Sequence, residues 1–166
     1  MNKVSRDGQK PNRSFLWIAS AVVLLAFLCS RYLFQLMLIQ GDSMVPAYHN
    51  LELTVLDKRK TAYQPGDVIA FRCEELHAVL VKRVAAVPGD SVQVVNGTLL
   101  VNGGISEVYP EEGCFSYSGI LAEPVTLADG EYIVIGDNLE ESKDSRYDTI
   151  GPVKEQLIIG KVLGSK

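Results

Sequence analysis

The stretch SVQVVNGTLLVNG, residues 91–103, is the part of the sequence that most directly indicates the fold class. Two short apolar segments are separated here by Asn96 and Gly97, a dipeptide that favours the left-handed backbone of a tight turn. Asn-Gly between two segments of strand character is the strongest short-range signal for a β-hairpin. The stretch therefore predicts two antiparallel strands joined at residues 96–97.

Segments of strand character continue on both sides of this hairpin. Their apolar residues alternate or form short runs, and turn residues such as Pro-Gly separate them. After residue 40, no stretch shows the long helical period of an amphipathic helix. The fold is therefore predicted to be mostly β, an antiparallel sandwich or partial barrel. The further predicted strands lie within residues 51–57, 67–72, 77–87, 130–138 and 156–163, and residues 104–130 are predicted to be an irregular excursion between core strands.

The N-terminal part has a different character. SFLWIASAVVLLAFLCS (14–30) is uncharged and mostly apolar, and YLFQLMLI (32–39) continues the apolar character. A bilayer-spanning helix needs about 20 apolar residues, so residues 14–34 are predicted to form a transmembrane signal-anchor helix. A cleaved signal peptide is the alternative, but no small-x-small cleavage site follows the apolar core. A buried core helix is disfavoured because the run has no polar face.

Charge predicts the orientation of this anchor and excludes one class of partner. Residues 1–31 contain five basic side chains and one acidic side chain, whereas the whole chain has a net charge of −4. The basic residues 1–13 are expected to stay in the cytoplasm, which places the domain of residues 35–166 outside it. That domain is acidic, and an acidic domain argues against nucleic acid as a partner, because phosphate binding needs a basic face.

The cysteines and histidines do not predict a metal site or a cofactor. Cys73 and His77 form one isolated C-x-x-x-H pair, and no second pair completes a zinc site. A disulfide between Cys73 and Cys114 is compatible with an exported domain, although the sequence does not establish it.

Ser43, in GDSMVPAY (41–48), raises the question of a nucleophile. Pro46 cannot sit in a central strand, so the chain is predicted to leave a strand here, with Ser43 at its end. A turn serine beside Gly41 is the alternative interpretation. A serine nucleophile needs a base, and His49 on the same loop has no evident acid to orient it.

Lys82 is the better candidate for that base. It lies inside AVLVKRVAAV (78–87), an otherwise apolar segment. Neighbours in a strand point to opposite faces, so Lys82 and Arg83 are not expected to face the core together. If Lys82 faces inward, burial disfavours its charged form and lowers its pKa, which would leave a neutral amine able to accept a proton. Two solvated cations at a sheet edge are the alternative.

A third stretch of interest is GDNLEESKDSRYD, residues 136–148, which we call the polar segment. It follows an apolar strand and is rich in charged groups. Asp144 and Arg146 are two residues apart, so in an extended backbone they share a face and could form an ion pair. A solvated loop is the alternative interpretation.

Taken together, these stretches resemble type I signal peptidase, the bacterial Ser/Lys membrane protease of peptidase family S26. GDSMVP resembles the S-M-x-P serine box, and PGDVIAF (65–71) resembles the strand motif that follows it. VKRVAAVPGD (81–90) is similar to the K-R-V-x-x-x-P-G-D lysine box. GDNLEESKDSR (136–146) matches G-D-N-x-x-x-S-x-D-S-R at every specified position. Four motifs in order make a specific resemblance.

The resemblance implies a role for each matching residue. Ser43 would be the nucleophile and Lys82 the general base, with Ser142 bonded to the lysine to orient it. Asp144 and Arg146 would form a structural ion pair beside the site. Met37 and Ile39 match positions that line the small substrate pockets in the family. Gly41 resembles the glycine that Gram-positive members of the family often have at this position. Lys82 distinguishes the chain from the endoplasmic-reticulum type, which uses histidine as the base.

The implied function is a membrane-bound serine endopeptidase that removes N-terminal signal peptides from exported preproteins and cuts after small-x-small. The resemblance implies preprotein signal peptides and the lipid bilayer as partners, and no cofactor. Alternatives left open are a peptidase dedicated to a few substrates, such as pilins, and a catalytically inactive membrane-anchored scaffold. A self-cleaving repressor-type protease shares the dyad, but it carries a DNA-binding N-terminus where this chain has an apolar segment.

Overall fold

The computed structural model describes residues 13–59 and 62–164, and the chain divides into two units after Leu33. The first unit contains helix α1, Arg13–Leu33. Among the described residues, no helix combines the length and the apolar character needed to cross a membrane. The transmembrane role predicted for residues 14–34 is therefore not confirmed, and Phe34 belongs to the first strand instead of the helix. Residues 1–12 of the predicted cytoplasmic segment lie outside the described residues.

The second unit is mostly β, as predicted. Its strands are β1 Phe34–Leu38, β2 Leu53–Asp57, β3 Val68–Cys73, β4 Ala78–Ala86, β5 Ser91–Val95, β6 Thr98–Val101, β7 Gly104–Ile105, β8 Val125–Thr126, β9 Glu131–Ile135, β10 Val153–Lys154 and β11 Ile158–Leu163. Two short 3₁₀ helices, Gly119–Ala122 and Glu155–Leu157, complete the described elements.

The strands form two antiparallel sheets. The larger sheet has seven strands in the order β1-β2-β11-β3-β4-β9-β10, and the smaller has four in the order β7-β6-β5-β8. The predicted hairpin is β5-β6, in which Val95 pairs with Thr98 across Asn96 and Gly97. Both turn residues have positive φ, at +48° and +75°, which is the backbone of a type I′ turn.

The described residues of this unit form three buried apolar clusters. One of them joins the two sheets, because it contains Ile133 and Ile135 of β9 together with Val92 and Leu99 of the small sheet. The other two clusters cover the two faces of β3, where alternate residues enter different clusters. A strand buried on both faces reads as a continuous apolar run, and this explains VIAF at residues 68–71.

This framework brings three sequence-distant stretches together. Ser43 follows β1, Lys82 lies within β4, and the polar segment follows β9, which is paired with β4. The predicted excursion, residues 104–130, contains only β7, β8 and one 3₁₀ helix among its described elements. Cys73 and Cys114 are free thiols, so the disulfide left open by the sequence is not formed.

Candidate active site

Ser43 lies in the loop of residues 39–52 that joins β1 to β2, which we call the nucleophile loop. Gly41 opens the loop with a φ of +92°, and its N–H donates to the Oδ1 of Asn50 at 2.9 Å. The polar segment holds the loop from the other side: Asn138 N–H donates to Ser43 O at 3.0 Å, and the Asn138 side-chain amide donates to Asp42 O at 3.2 Å. Two separate stretches of chain therefore fix the position of the half-buried Ser43.

Lys82 reaches Ser43 from β4. Its Nζ donates to the Ser43 Oγ at 2.6 Å, and the residue is 3% exposed. Burial lowers the pKa of Lys82 from 10.5 to about 8, although the charges of Asp144 and Asp137 oppose this shift. The structure therefore agrees with the interpretation in which the Lys82 side chain faces inward. His49, the alternative base, is exposed and has no hydrogen bond to Ser43 among the described residues.

Arg83 behaves differently from its neighbour. Its guanidinium donates to both carboxylate oxygens of Asp137 at 2.7 and 2.6 Å and to Gly66 O at 2.8 Å. Lys82 and Arg83 bind different partners, as the predicted alternation of strand faces requires. The Arg83 side chain is 15% exposed, so the alternative of two solvated cations is wrong. The ion pair with Asp137 compensates the buried charge and raises the pKa of Arg83. Sequence reasoning missed this pair, although both residues lie within the quoted motifs.

The side chain of Ser142 lies beside Gly136, which is also close to the backbone carbonyl of Ser43. A Cβ atom at Gly136 would lie 2.2 Å from the Ser142 Oγ and 2.5 Å from Ser43 O, so any side chain there would collide with both. Ser142 is 1% exposed. Its Oγ has no hydrogen-bond partner among the described residues, so the bond to Lys82 that the resemblance implies is not formed in this structure. A buried hydroxyl without a hydrogen-bond partner costs free energy of folding.

Asp144 and Arg146 form a fully buried ion pair. The Arg146 Nε donates to Asp144 Oδ1 at 2.8 Å and its Nη2 donates to Oδ2 at 2.9 Å. The same carboxylate accepts the N–H of Gly136 at 3.1 Å. Arg146 also donates to the carbonyls of Leu139 at 2.9 Å and Ser142 at 3.3 Å. The pair therefore ties the two ends of the polar segment together.

A cleft of about 470 Å³ opens beside Ser43 and Lys82. Both predicted pocket residues, Met37 and Ile39, line it, and Leu56, Val81 and Ile159 add further apolar surface. Among the described residues no cluster of His, Cys, Asp and Glu is arranged to hold a metal ion. The arrangement places a serine hydroxyl, a buried amine that loses its proton near pH 8 and an apolar cleft side by side, which suits attack on a bound carbonyl group.

Comparison with known proteins gives consistent matches. The family model described as "Signal peptidase, peptidase S26" matches residues 12–164. A signal peptidase I from Bacillus licheniformis is 31% identical over 167 residues, which cover 93% of this chain and 89% of that protein. Signal peptidase I T from Bacillus subtilis is 33% identical, covering 93% and 86%. The crystal structure of a signal peptidase I from Enterococcus faecalis is 28% identical with a TM-score of 0.48, and the match covers 61% of this chain and 97% of that one.

Proposed function

Because the chain belongs to the signal peptidase family S26, we propose that it is a serine endopeptidase that removes signal peptides from exported preproteins. The two relatives from Bacillus are named signal peptidase I and signal peptidase I T, and the matches cover 89% and 86% of their length. The observation that carries the proposed mechanism is the 2.6 Å contact between Lys82 Nζ and Ser43 Oγ in a buried setting. Ser43 is the nucleophile of this mechanism, and Lys82 is its base.

The lowered pKa of Lys82 makes the first step feasible near neutral pH. The neutral amine takes the proton of the Ser43 hydroxyl as the Oγ attacks the scissile carbonyl carbon. The C–N bond then breaks, and the lysine ammonium returns the proton to the leaving amine. Water, activated by the same amine, hydrolyses the acyl-enzyme and frees Ser43. Asp144 and Arg146 support this geometry from the polar segment, because the ion pair holds the carboxylate that accepts the N–H of Gly136.

The oxyanion of the tetrahedral intermediate also needs donors. The backbone N–H of Ser43 is the proposed donor from the nucleophile loop, and one such donor typically contributes about 3 kcal/mol of barrier lowering. Gly41 provides no side chain for this purpose. The contacts that Asn138 makes with Ser43 O and Asp42 O hold the loop in place, so the N–H keeps a fixed direction.

Two strand edges beside the cleft suit an extended substrate. β1 is the terminal strand of the large sheet, with pairing to β2 on one side. In β4, residues 78–82 pair with β3, whereas the pairing with β9 begins at Arg83. A peptide can add to such an edge through main-chain hydrogen bonds, and its alternate side chains then enter the cleft. Met37 and Ile39 narrow the cleft, which favours small residues and a cut after small-x-small.

We also propose how the chain is placed in the cell membrane. Residues 14–33 anchor it in the lipid bilayer, residues 1–13 stay in the cytoplasm, and the catalytic domain of residues 34–166 lies outside. The support is the basic N-terminal sequence and the exposed apolar side chains along α1, such as Trp17, Val23 and Leu25. An active site held close to lipid meets the end of a membrane-embedded signal peptide without long diffusion.

The test uses the full-length chain purified in detergent, incubated with a preprotein beside the Ser43→Ala variant. Mass spectrometry identifies the cut site. We expect a cut after a small-x-small sequence that is absent in the variant. Cleavage that persists in Ser43→Ala would refute the assigned nucleophile, and a folded wild-type chain that cuts none of several preproteins would favour an inactive scaffold.

A further inference from the structure

The excursion, residues 104–130, makes close contact with the polar segment at Arg146. The N–H of Ile120 donates to Arg146 O at 2.9 Å, and the carbonyl of Tyr117 lies 3.5 Å from Arg146 Nη1 as an acceptor. The ring of Phe115 faces the guanidinium, with 5.5 Å between Cζ and the ring centroid. Residues 115–120 therefore contact the backbone, the guanidinium edge and the guanidinium face of this one residue.

Gly119 makes the approach of the two segments close enough for these contacts. Its φ is +54°, in the left-handed region that disfavours side chains. A Cβ atom there would lie 1.9 Å from Arg146 O and 2.8 Å from Arg146 C. Both are backbone atoms, so they cannot rotate away as the end of a flexible side chain would. A side chain at position 119 therefore has to push the main chain of Arg146 aside.

A continuous set of contacts leads from Arg146 to the reacting groups. Arg146 holds Asp144 through two hydrogen bonds, and Asp144 accepts the N–H of Gly136. Gly136 in turn lies so close to Ser43 O that a Cβ atom there would be 2.5 Å from it. Ser43 Oγ is the partner of the buried amine of Lys82. Each contact in this series is between buried or half-buried groups, which leaves little slack for independent movement.

We propose that Gly119 and Ile120 are positioning residues for peptide-bond cleavage: they fix the backbone of Arg146 and thereby hold the Ser43 hydroxyl against the Lys82 amine. This inference rests on the proposed function. The excursion then acts as a brace for the catalytic groups as well as a cover for the apolar core. Nothing in the sequence of the excursion indicates this, because the contact depends on the tertiary fold.

The test substitutes alanine at three glycines that all have positive φ, of which Gly119 is the one where the added Cβ atom would collide with other atoms. Gly119→Ala introduces both a strained φ and the collision with Arg146. Gly151→Ala introduces the same kind of strain, since its φ is +56°, but a Cβ atom there meets nothing within 4 Å. Gly113→Ala, at φ +71° and also in open space, is a second control within the excursion. Full-length proteins in detergent are compared for kcat, KM and pH profile, with the competent fraction counted by a serine-directed acylating probe.

We expect Gly119→Ala to lower kcat per competent site by about a hundredfold, because a displacement of about 1 Å can cost this much. KM should stay within about twofold, since the described residues that line the cleft include none from the excursion or the polar segment. The midpoint of the pH profile should move upward, because a loosened site admits water to Lys82, whose pKa is lowered by burial. Asp144, Asp137 and Arg146 are the charged groups that act on this lysine, and all three belong to the polar segment. The controls should keep the wild-type midpoint.

The inference is overturned if Gly119→Ala matches Gly151→Ala in kcat per labelled site, or if it keeps the wild-type pH midpoint. Should Gly119→Ala not fold, Phe115→Leu removes the ring face from Arg146 and should lower kcat several-fold with the same direction of pH shift. A wild-type chain that cleaves no preprotein counts against the proposed function. In that case the labelling rate of Ser43 by the probe still compares the variants and decides the positioning effect.

Discussion

Two buried cations within this domain show opposite ways of handling charge. Arg146 is 1% exposed and is matched by Asp144 and by carbonyl groups, so its charge is compensated. Lys82 is 3% exposed, and among the described residues its side chain hydrogen-bonds to a neutral hydroxyl, that of Ser43. Burial without a carboxylate partner lowers the pKa of the amine to about 8. The paired cation therefore has a structural role, whereas the cation without a carboxylate partner is the one able to exchange a proton.

Replacement of Lys82 gives the largest expected effect on activity. Lys82→Met should lower kcat/KM by at least about a thousandfold, because the nucleophile loses its base. Cleavage of a preprotein by the purified full-length variant provides the measurement. Activity close to wild type would show that another group accepts the proton.

The same variant should have the opposite effect on stability. A lysine whose folded pKa is below its unfolded value binds fewer protons in the folded state between the two values, so stability rises with pH from about 8 to 10.5. Lys82→Met removes this penalty and should be more stable than wild type at pH 7, with a gap that narrows as the pH rises. Denaturant unfolding at pH 7 and pH 10 measures it, and a less stable variant at pH 7 would contradict the assigned burial penalty.

Breaking the compensated pair should mainly cost stability. Asp144→Asn leaves the buried guanidinium of Arg146 without a counter-charge, which typically costs about 3–5 kcal/mol of unfolding free energy. The matched control is Lys161→Met, which removes the pair with Asp67, because the Lys161 side chain is 39% exposed. That change should cost no more than about 1 kcal/mol. Equal losses in chemical denaturation would mean that burial does not distinguish the two pairs.

A smaller effect is expected where the polar segment meets the nucleophile loop. Gly136→Ala places a methyl group against the Ser142 Oγ and Ser43 O, and overpacking of this kind costs about 1–3 kcal/mol. Gly104→Ala is the control, because its Cβ atom would meet Val101 O at an ordinary 3.7 Å. Thermal unfolding of both variants gives the comparison. A control as unstable as Gly136→Ala would remove the steric explanation.

Local features of the sequence predicted the longer strands, whereas the residues that meet at the site were assigned through the family resemblance. The turn of the β5-β6 hairpin follows from the backbone preference of Asn96 and Gly97, so the sequence predicted which two residues form it. Short strands such as β7, β8 and β10 were not predicted, because two-residue pairings are set by tertiary neighbours instead of local pattern.

The partners of charged groups could not be predicted in the same way. Alternation in β4 indicated that Lys82 and Arg83 have different environments, but not that Asp137 would form an ion pair with a half-buried Arg83. The contact between Gly119 and Arg146 joins residues 27 positions apart and has no sequence signal. The sequence likewise did not indicate that the Ser142 Oγ lacks a hydrogen-bond partner among the described residues, because the partners of a buried hydroxyl depend on tertiary packing.

The pH dependence of Ser43 acylation tests the central claim most directly. A serine-directed probe is reacted with the full-length chain across pH 6 to 10, with Lys82→Met as the reference. If the neutral amine of Lys82 is the base, the wild-type rate rises about tenfold per pH unit at low pH and levels off above about 8. The variant should show only slow labelling without this midpoint. A wild-type rate that is flat with pH, or a midpoint that persists in Lys82→Met, would contradict the account.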